Sequence, residues 1–282
     1  MIRLKIPSPL VSVDWLKSNL QADNLIVLNG AIPKVGKPVK NTNEEQSIKG
    51  ARFFDIKKVF SDQKATYPNT ILSPDEFQQK AQELGINEDS CIVVYDNHGI
   101  YSAPRVWWMF KVFGFTNIAV LDGGFPKWLK NKFPTQNHLE KKYTKGNFIA
   151  KYKPEKVCVT DDVLGFIKKQ DVCITDARAK SRFFPTEPEP RPEVRSGHIP
   201  SSKNLPYTNL QENGEMKEIK ELKQFFSEVN PDNKRFVFSC GSGVTACILA
   251  LGLELTGKSE YILYDGSWSE WGRRAELPIE TQ

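Results

Sequence analysis

The chain has 282 residues, a length that suits one large domain or two domains of ordinary size. Its 39 Lys and Arg outnumber its 34 Asp and Glu and give a net charge of +5, but both signs are scattered along the chain. We therefore expect a small anionic ligand rather than nucleic acid as a partner. No apolar run approaches the length of a membrane-spanning helix, and the first residues lack the pattern of a secretion signal, so a cytoplasmic protein with no membrane partner is expected.

Cysteine and histidine are both sparse. The five cysteines are an odd number without a CxxC pair, and there are only three histidines. This pattern indicates neither a disulfide framework nor a zinc site. We expect no metal and no other cofactor, and the low cysteine content fits a reducing compartment.

The first half of the chain alternates helical and strand patterns. Ser73, Pro74 and Glu76 open one helix with an N-cap, a proline at the first helical position and a capping box. A polar stretch around Gly36 and Pro38 is predicted to be a loop. In order, the pattern predicts a helix over residues 13–20, a strand over 25–28, a helix from 74 to about 84, a strand over 91–95, a helix through 106–110, a strand over 118–121 and a short helix that carries Trp128.

The second half repeats this order. Asp122 precedes Trp128 by six residues, and Asp265 precedes Trp271 by the same interval. A repeat at about half the chain length indicates two copies of one α/β unit. The predicted elements are a helix from residue 160, a strand over 172–175, a helix over 217–229, and a strand over 235–239 with a further helix and strand after it.

Alternating strands and helices predict, in each copy, a mostly parallel sheet with helices on both faces. We predict a first domain over residues 1–133, a linker rich in Lys, Asn and Pro over 134–157, and a second domain over 158–282. Functional sites in such sheets lie at the carboxyl ends of strands, where the second copy has Cys240 and the first has Asp96. Because a carboxylate is not a soft nucleophile, the first domain is predicted to be non-catalytic.

Cys240 begins a loop, CGSGVT, that leaves a strand and opens an almost uncharged helix. Successive backbone N–H groups of such a loop point towards its centre, as does the positive end of the helix. A sulfur atom held there ionises easily and becomes a nucleophile at neutral pH. Cys240 is therefore predicted to be catalytic, and Gly241, Gly243, Val244 and Thr245 to bind the substrate. The alternative is a cysteine that only packs at the end of a strand.

The segment DARAKSRFFPTEPEPRPEVRSG, residues 176–197, contains four prolines and is predicted to be a stiff, extended connection. Arg182 and Arg191 flank its stiff part, and two pre-organised guanidiniums suit a planar carboxylate. They are predicted to bind the substrate. The alternative is a solvated loop in which Glu187, Glu189 and Glu193 pair with the arginines.

Other side chains have supporting roles in this interpretation. Ser242 is predicted to donate a hydrogen bond to the sulfur or the substrate, with ordinary turn formation as the alternative. His198 is interpreted as a loop histidine, with acid–base chemistry as the alternative. Asp176 and Asp265 are expected to fix loops and helix ends. Packing is expected for Trp268, Trp271, Cys91, Cys158, Cys173 and Cys247, and His98 and His138 are weaker candidates for chemistry than His198.

Several segments resemble the two-domain sulfurtransferases of the rhodanese superfamily, in particular the branch that uses 3-mercaptopyruvate. In the second half they are CGSGVTA at residues 240–246, SRFFPTEPEPR at 181–191, GHIP at 197–200 and YDGSWSEW at 264–271. In the first half they are FFDI at 53–56, YSAPRVWWMFKVFG at 101–114 and LDGGFPKW at 121–128. The likeness spans nearly the whole chain.

The resemblance implies two tandem rhodanese-like domains and a Cys240 that takes sulfur from a donor and carries it as a persulfide to cyanide, a thiol or thioredoxin. It also implies that Arg182 and Arg191 hold the donor carboxylate and that Ser242 assists in the loop. Thiosulfate-specific relatives typically have Arg and Lys after the cysteine, which suits a dianionic donor. Gly241 and Ser242 follow it here and suit a monoanion.

The chain departs from this family pattern at two positions. Members often have an acidic residue two positions after the Asp of FFD, and a His shortly before a Leu-Pro. Lys57 and Asn69 occupy these positions here. General acid–base help contributes ~10²–10⁴ in rate, so turnover of 3-mercaptopyruvate is expected to be slow, or its pH profile altered, if those groups are needed.

Three other functions compete with this interpretation. The nearest is a thiosulfate sulfurtransferase, and a remote one is a non-catalytic module that binds persulfides or anions. A cysteine phosphatase uses a similar loop but needs an Arg to close it over the phosphate, and Ala246 stands at that position.

Overall fold

A computed structural model of the chain describes residues 3–34, 46–137, 142–169 and 171–282. Its contacts divide the chain into two compact units. The first comprises residues up to Gln63 together with Ile71–Tyr152 and Asn213–Met216, and the second comprises Lys64–Thr70, Lys153–Glu212 and Lys217–Gln282. Among the helices of the described residues, none has the length and apolar character needed to cross a membrane. The predicted loop around Gly36 and Pro38, and His138, lie outside the described residues.

The elements of the first half agree with most of the predicted pattern. In chain order they are β1 (Leu10–Val11), α1 (Val13–Asn19), β2 (Leu25–Asn29), β3 (Gln46–Ile48), β4 (Arg52–Phe53), α2 (Pro74–Glu83), β5 (Cys91–Tyr95), α3 (Ala103–Val112), β6 (Ile118–Leu121), α4 (Gly124–Lys130) and β7 (Thr135–Asn137). The capping box of α2 is confirmed, because the Ser73 side chain accepts from the N–H of Glu76 while the Glu76 carboxylate accepts from the N–H of Ser73.

The elements of the second half include several short strands that the pattern did not predict. In chain order they are β8 (Val157–Cys158), α5 (Thr160–Lys169), β9 (Val172–Asp176), α6 (Lys180–Phe183), β10 (Lys203–Asn204), β11 (Gln211–Glu212), β12 (Glu215–Met216), α7 (Ile219–Val229), β13 (Arg235–Ser239), α8 (Ala246–Leu255), β14 (Tyr261–Tyr264) and α9 (Ser267–Trp271). Strands of two residues are too short for a period of alternation, so sequence periodicity does not reveal them.

The two units contain five-stranded sheets of the same topology. In the first unit the spatial order is β1, β6, β5, β2, β4, and in the second it is β8, β14, β13, β9, β10. All neighbours within both sheets run parallel. The expected fold class, two tandem α/β units with parallel sheets flanked by helices, is therefore confirmed. In each unit the central strand, β5 or β13, leads into an apolar helix, α3 or α8.

Each unit is stabilised by its own hydrophobic core. The first core includes Val27, Val93, Ala119, Leu121 and Trp128, and the second includes Ile174, Val237, Tyr264, Trp268 and Trp271. These residues come from the strands and from the helices that cover them. The helices therefore bury the apolar side chains of the parallel sheet.

The segment predicted as the linker contains regular structure. Its strand β7 pairs antiparallel with β3. Beyond the undescribed residues 138–141, Phe148 is buried, and its N–H donates to the carbonyl of Ile86 at 3.0 Å. The N–H of Lys151 donates to the carbonyl of Phe113 at 2.9 Å. Residues up to Tyr152 therefore pack within the first unit, while the predicted boundaries at 133 and 157 stay predictions.

Candidate active site

Cys240 lies immediately beyond β13, the central strand of the second sheet. It is 1% exposed. Its N–H donates to Ser267 Oγ at 3.2 Å, and its carbonyl accepts from the N–H of Trp268 at 2.9 Å. The carbonyl of Gly241 likewise accepts from the N–H of Ser269 at 2.8 Å. The start of the loop is therefore tied to the first turn of α9, which fixes the backbone at Cys240.

The loop has glycines at positions 241 and 243. Gly243 has φ of +74°, the left-handed region that favours glycine. A Cβ atom at Gly241 would lie 3.4 Å from Nη2 of Arg182 and 3.7 Å from Nη1 of Arg191. These are ordinary van der Waals distances, and they show that both guanidiniums end beside the backbone next to Cys240.

Arg182 and Arg191 both lie at this loop, while the binding of a substrate by them stays a prediction. Each side chain is 19% exposed, so both remain accessible to a small ligand. Burial lowers the pKa of Arg191 below its usual value, while the carboxylate of Glu189 and the sulfur of Cys240 act in the opposite direction. Arg191 therefore interacts electrostatically with the sulfur, in addition to any contribution from the backbone N–H groups of the loop.

The predicted extended connection over residues 176–197 is wrong at its beginning, where the chain forms the short helix α6. The N–H groups of Phe183 and Phe184 donate to the carbonyls of Ala179 and Lys180 at 3.1 and 2.9 Å. Because the first proline of the segment is Pro185, nothing prevents a helical turn before it, and the proline then ends that turn. Arg182 projects from this turn rather than from an extended strand.

Glu189 joins the two arginines through a buried carboxylate. Its side chain is 3% exposed, and its Oε1 lies 2.5 Å from Nη2 of Arg182 and 3.8 Å from Nη1 of Arg191. The alternative in which acids of this segment pair with the arginines is therefore true for Glu189. Glu187 instead accepts from Ser181 Oγ at 2.9 Å, and Glu193 contacts Arg273.

The sequence did not single out Arg178, which completes this cluster. Its guanidinium is buried against the carboxylate of Asp176 at 2.7 Å, and its Nη1 lies 3.6 Å from Glu189. It also lies over the ring of Trp268, at 4.5 Å from the centroid. The Asp-x-Arg spacing directly after a strand is the signal that could have indicated it. Together, three guanidiniums and two carboxylates leave one positive charge in excess at the loop.

Ser242 is held by an amide from the segment Lys64–Thr70. Asn69 Nδ2 lies 3.0 Å from Ser242 Oγ and 3.1 Å from the carbonyl oxygen of Ser242. Asn69 has φ of 64°, a conformation that asparagine tolerates better than most residues. The segment is also anchored by Arg273, whose Nη1 donates to the carbonyl of Thr66 at 3.4 Å.

The remaining loop residues connect the cysteine to α8. Val244 is buried, and its carbonyl accepts from the N–H of Cys247 at 3.2 Å. Thr245 occupies the N-cap position of α8 without a side-chain capping bond. Binding of a substrate by Gly241, Gly243, Val244 and Thr245 stays a prediction, as do the catalytic roles of Cys240 and Ser242.

The corresponding loop of the first unit holds a carboxylate. Asp96 follows the central strand β5, and its Oδ2 accepts from the N–H groups of Tyr101, Ser102 and Ala103 at 2.7, 2.9 and 2.9 Å. Its Oδ1 accepts from the N–H of His98 at 2.8 Å. A loop between the central strand and its helix therefore surrounds an anion with backbone N–H groups.

The other candidates lie where packing was expected. His198 is buried, stacks on Phe183 with ring centroids 3.8 Å apart, and has its Nδ1 at 2.9 Å from the carbonyl of Phe183. Asp265 is buried. Lys57 is exposed, and its N–H donates to Asp55 Oδ1. Burial is complete or nearly so for Trp268, Trp271, Cys91, Cys158, Cys173 and Cys247, and all five cysteines are free thiols.

The described residues contain no group of three or more His, Cys, Asp or Glu side chains that could hold a metal ion. The chemistry available at this loop is that of one cysteine, a pair of guanidiniums and a serine hydroxyl. Such a set can bind an anionic donor and accept an atom on sulfur.

Comparison with known proteins identifies the family of this chain. The family model for the rhodanese-like domain matches twice, over residues 12–131 and 159–274. The 3-mercaptopyruvate sulfurtransferase of Mus musculus is 39% identical, with 95% of this chain and 93% of the relative covered. A mitochondrial thiosulfate/3-mercaptopyruvate sulfurtransferase of Arabidopsis thaliana is 37% identical, with 97% of this chain and 78% of the relative covered.

A solved structure shares the whole fold. The crystal structure of an Escherichia coli protein described as a 3-mercaptopyruvate sulfotransferase superposes with a TM-score of 0.83 at 33% identity, covering 93% of this chain and 99% of that one. The chain belongs to the rhodanese family, with two rhodanese-like domains. It is a sulfurtransferase enzyme, as the resemblance implied.

Proposed function

We propose that this sulfurtransferase moves sulfane sulfur from 3-mercaptopyruvate to a thiol or cyanide through a persulfide on Cys240, releasing pyruvate. The observation that carries the proposal is the approach of the guanidiniums of Arg182 and Arg191 to Gly241, directly beside the cysteine. Two guanidiniums can bind the two oxygens of one carboxylate and hold the rest of the donor over the loop.

The net charge of the site favours a donor with a single negative charge. The carboxylate of Glu189 offsets one of the two donor-facing guanidiniums, so one positive charge is left for the donor. A monocarboxylate such as 3-mercaptopyruvate would be matched by this charge, whereas a dianion would exceed it.

The first half-reaction is a displacement on sulfur. The thiolate of Cys240 attacks the sulfur of 3-mercaptopyruvate and forms the S–S bond as the S–C bond breaks. The electron pair of the S–C bond passes to the carbon and forms the enolate of pyruvate, while the donor's thiol proton ends on that carbon to give the methyl group. Cys240 is left as a persulfide anion, which the backbone N–H groups of the loop would surround as those of the first unit surround Asp96.

The second half-reaction returns the enzyme to its thiolate. An acceptor thiolate, for which thioredoxin is one candidate, attacks the outer sulfur and takes it as a new persulfide. With cyanide the same step gives thiocyanate. Each half-reaction leaves the enzyme ready for the other, so a ping-pong rate law is expected.

The test measures pyruvate and thiocyanate formed from 3-mercaptopyruvate and cyanide, beside thiocyanate formed from thiosulfate and cyanide. A preference for 3-mercaptopyruvate that is lost in Cys240→Ser supports the proposal. Arg182→Ala is expected to raise KM for 3-mercaptopyruvate about 10-fold or more, because one charge-assisted bond is lost, and to affect thiosulfate less. Equal losses with both donors would contradict a carboxylate-binding role for this arginine.

Thiosulfate is the second candidate donor. The Arabidopsis relative carries both donors in its name, and two guanidiniums can also bind a sulfonate-like group. A higher kcat/KM with thiosulfate would move the assignment to this donor. A non-catalytic binding module is the remaining alternative, and it would give no turnover with either donor and no alkylation of Cys240 by iodoacetamide at neutral pH.

A further inference from the structure

Two hydrogen bonds from the side-chain amide of Asn69 define the orientation of the Ser242 hydroxyl. The carbonyl oxygen of Ser242 can only accept a hydrogen bond, so the group of Asn69 that lies 3.1 Å from it must be the NH₂ and not the amide oxygen. The same Nδ2 lies 3.0 Å from Ser242 Oγ. Because Nδ2 is a donor only, the serine hydroxyl accepts in this contact and its own hydrogen is directed elsewhere.

The hydroxyl hydrogen of Ser242 is available to a ligand. Among the described residues, the hydroxyl of Ser242 accepts from Asn69 and donates no hydrogen bond to a protein acceptor. Ser242 is two positions beyond Cys240, and only Gly241, the residue beside both guanidiniums, separates them. A donor held by Arg182 and Arg191 would therefore lie within reach of a hydroxyl that is already fixed as a hydrogen-bond donor.

We propose that Asn69 is a positioning residue that orients the Ser242 hydroxyl towards the keto oxygen of the sulfur donor. This inference rests on the proposed function. When the S–C bond breaks, the negative charge of the enolate collects on that oxygen, and a pre-oriented O–H stabilises it more than it stabilises the ketone. Thiosulfate has no keto oxygen and releases sulfite without forming an enolate, so it gains nothing from this hydrogen bond.

An amide also makes this arrangement independent of pH. The side chain of asparagine does not titrate, whereas a histidine at the same place would change its charge near pH ~6.5. Asn69 therefore presents the same donor to Ser242 at every pH at which the fold is intact. The ratio of turnover with 3-mercaptopyruvate to turnover with thiosulfate is expected to be constant from about pH 6 to about pH 8.

The experiment compares kcat with the two donors in four proteins. They are the wild type, Asn69→Gly, Ser242→Ala and the double variant. Glycine is chosen because it removes the side chain and accepts the positive φ of this position without strain. Loss of the Ser242 hydroxyl is expected to lower kcat with 3-mercaptopyruvate about 100-fold, and loss of the orienting amide about 10-fold. With thiosulfate, Asn69→Gly is expected to change kcat less than about twofold, and Ser242→Ala is expected to lower kcat less than it does with 3-mercaptopyruvate.

The double variant separates positioning from a general effect on structure. If Asn69 acts through Ser242, Asn69→Gly adds no further loss in the Ser242→Ala background. Thr70→Val is a matched control, because it removes a hydroxyl from the neighbouring residue whose bond goes to the carbonyl of Tyr67 and not to the loop. It is expected to leave both donors unchanged.

Asn69→His provides the pH readout. A histidine at this position is expected to make the ratio of the two turnovers vary with a midpoint near pH ~6.5. Equal losses with both donors in Asn69→Gly, or independent losses that multiply in the double variant, would overturn the inference while leaving the proposed function intact. A wild type that does not turn over 3-mercaptopyruvate would instead refute the proposed function.

Discussion

Glu189→Gln tests whether the charge of the site sets the preference between donors. The Glu189 carboxylate is buried beside the guanidiniums of Arg182 and Arg191, at 2.5 Å from the first and 3.8 Å from the second. Glutamine keeps the length of the side chain and one oxygen that accepts from Arg182, so the substitution mainly removes one negative charge. The positive charge available to a donor then rises from one to two.

The size of the effect follows from the distance between the two anions. A donor anion on the far side of the guanidiniums would lie about 7 Å from Glu189, where one unit charge changes the energy by about 2 kcal/mol at an effective dielectric constant of about 20. The arginine side chains are 19% exposed, so water screens part of this energy, and about 1 kcal/mol is a realistic remainder. A dianion gains this energy twice and a monoanion once. The ratio of kcat/KM for thiosulfate to that for 3-mercaptopyruvate should therefore rise about fivefold.

The assay measures thiocyanate from both donors at fixed ionic strength, and thermal unfolding confirms that the variant is folded. Glu193→Gln is the matched control, because it makes the same change of charge four residues away on an exposed side chain that contacts Arg273. It should change the ratio less than about twofold, since exposed charges are strongly screened. A fall of the ratio in Glu189→Gln, or an equal rise in both variants, would refute the charge argument and leave Glu189 as a residue that only holds the arginines in place.

Two further predictions concern the first unit. Ser73→Ala removes the capping box of α2 and should lower the free energy of unfolding by about 1 kcal/mol, as measured by urea denaturation. Asp75→Asn, at a nearby exposed residue, is the control. An unchanged free energy of unfolding in Ser73→Ala would contradict a capping role. Burial raises the pKa of Cys91 from 9.0 to about 11. The contribution of this buried neutral thiol to the free energy of unfolding is fully present below the pKa of the unfolded thiol. It is lost as pH rises through the interval between the two pKa values, because the thiol of the unfolded chain ionises first. The free energy of unfolding of Cys91→Val, measured by urea titration, should therefore fall less between these pH values than that of the wild type. An equal fall in both proteins would refute the raised pKa of Cys91.

Strands and caps were predictable because their signals are local. The central strands over 91–95 and 235–239 were predicted with the bounds that they have, since each is a short β-rich apolar run. The capping box needs only residues 73–76 and was equally clear. The edge strands and α6 were missed because two to four residues are too few for a periodic pattern.

The candidate site was predictable only in part, for a related reason. Cys240 and the two arginines could be picked out because a glycine-rich turn and a proline-rich segment mark them locally. Which acid pairs with the arginines depends on the tertiary path of residues 184–191, so the choice of Glu189 over Glu187 was not visible. The bond between Asn69 and Ser242 joins positions 173 residues apart, and only the fold reveals it.

The boundary of the repeat in sequence differs from the boundary of the second unit in space. Because residues 64–70 are assigned to the second unit, a gene fragment that begins at residue 157 would encode its whole five-stranded sheet but not Asn69. The two halves repeat one sheet topology, yet they are not interchangeable, because the second unit also contains residues 64–70. A chimera that takes its second half from one family member and its first half from another would combine the Cys240 loop of one protein with residue 69 of the other. Residues 64–70 should therefore be moved together with the second half in any such chimera.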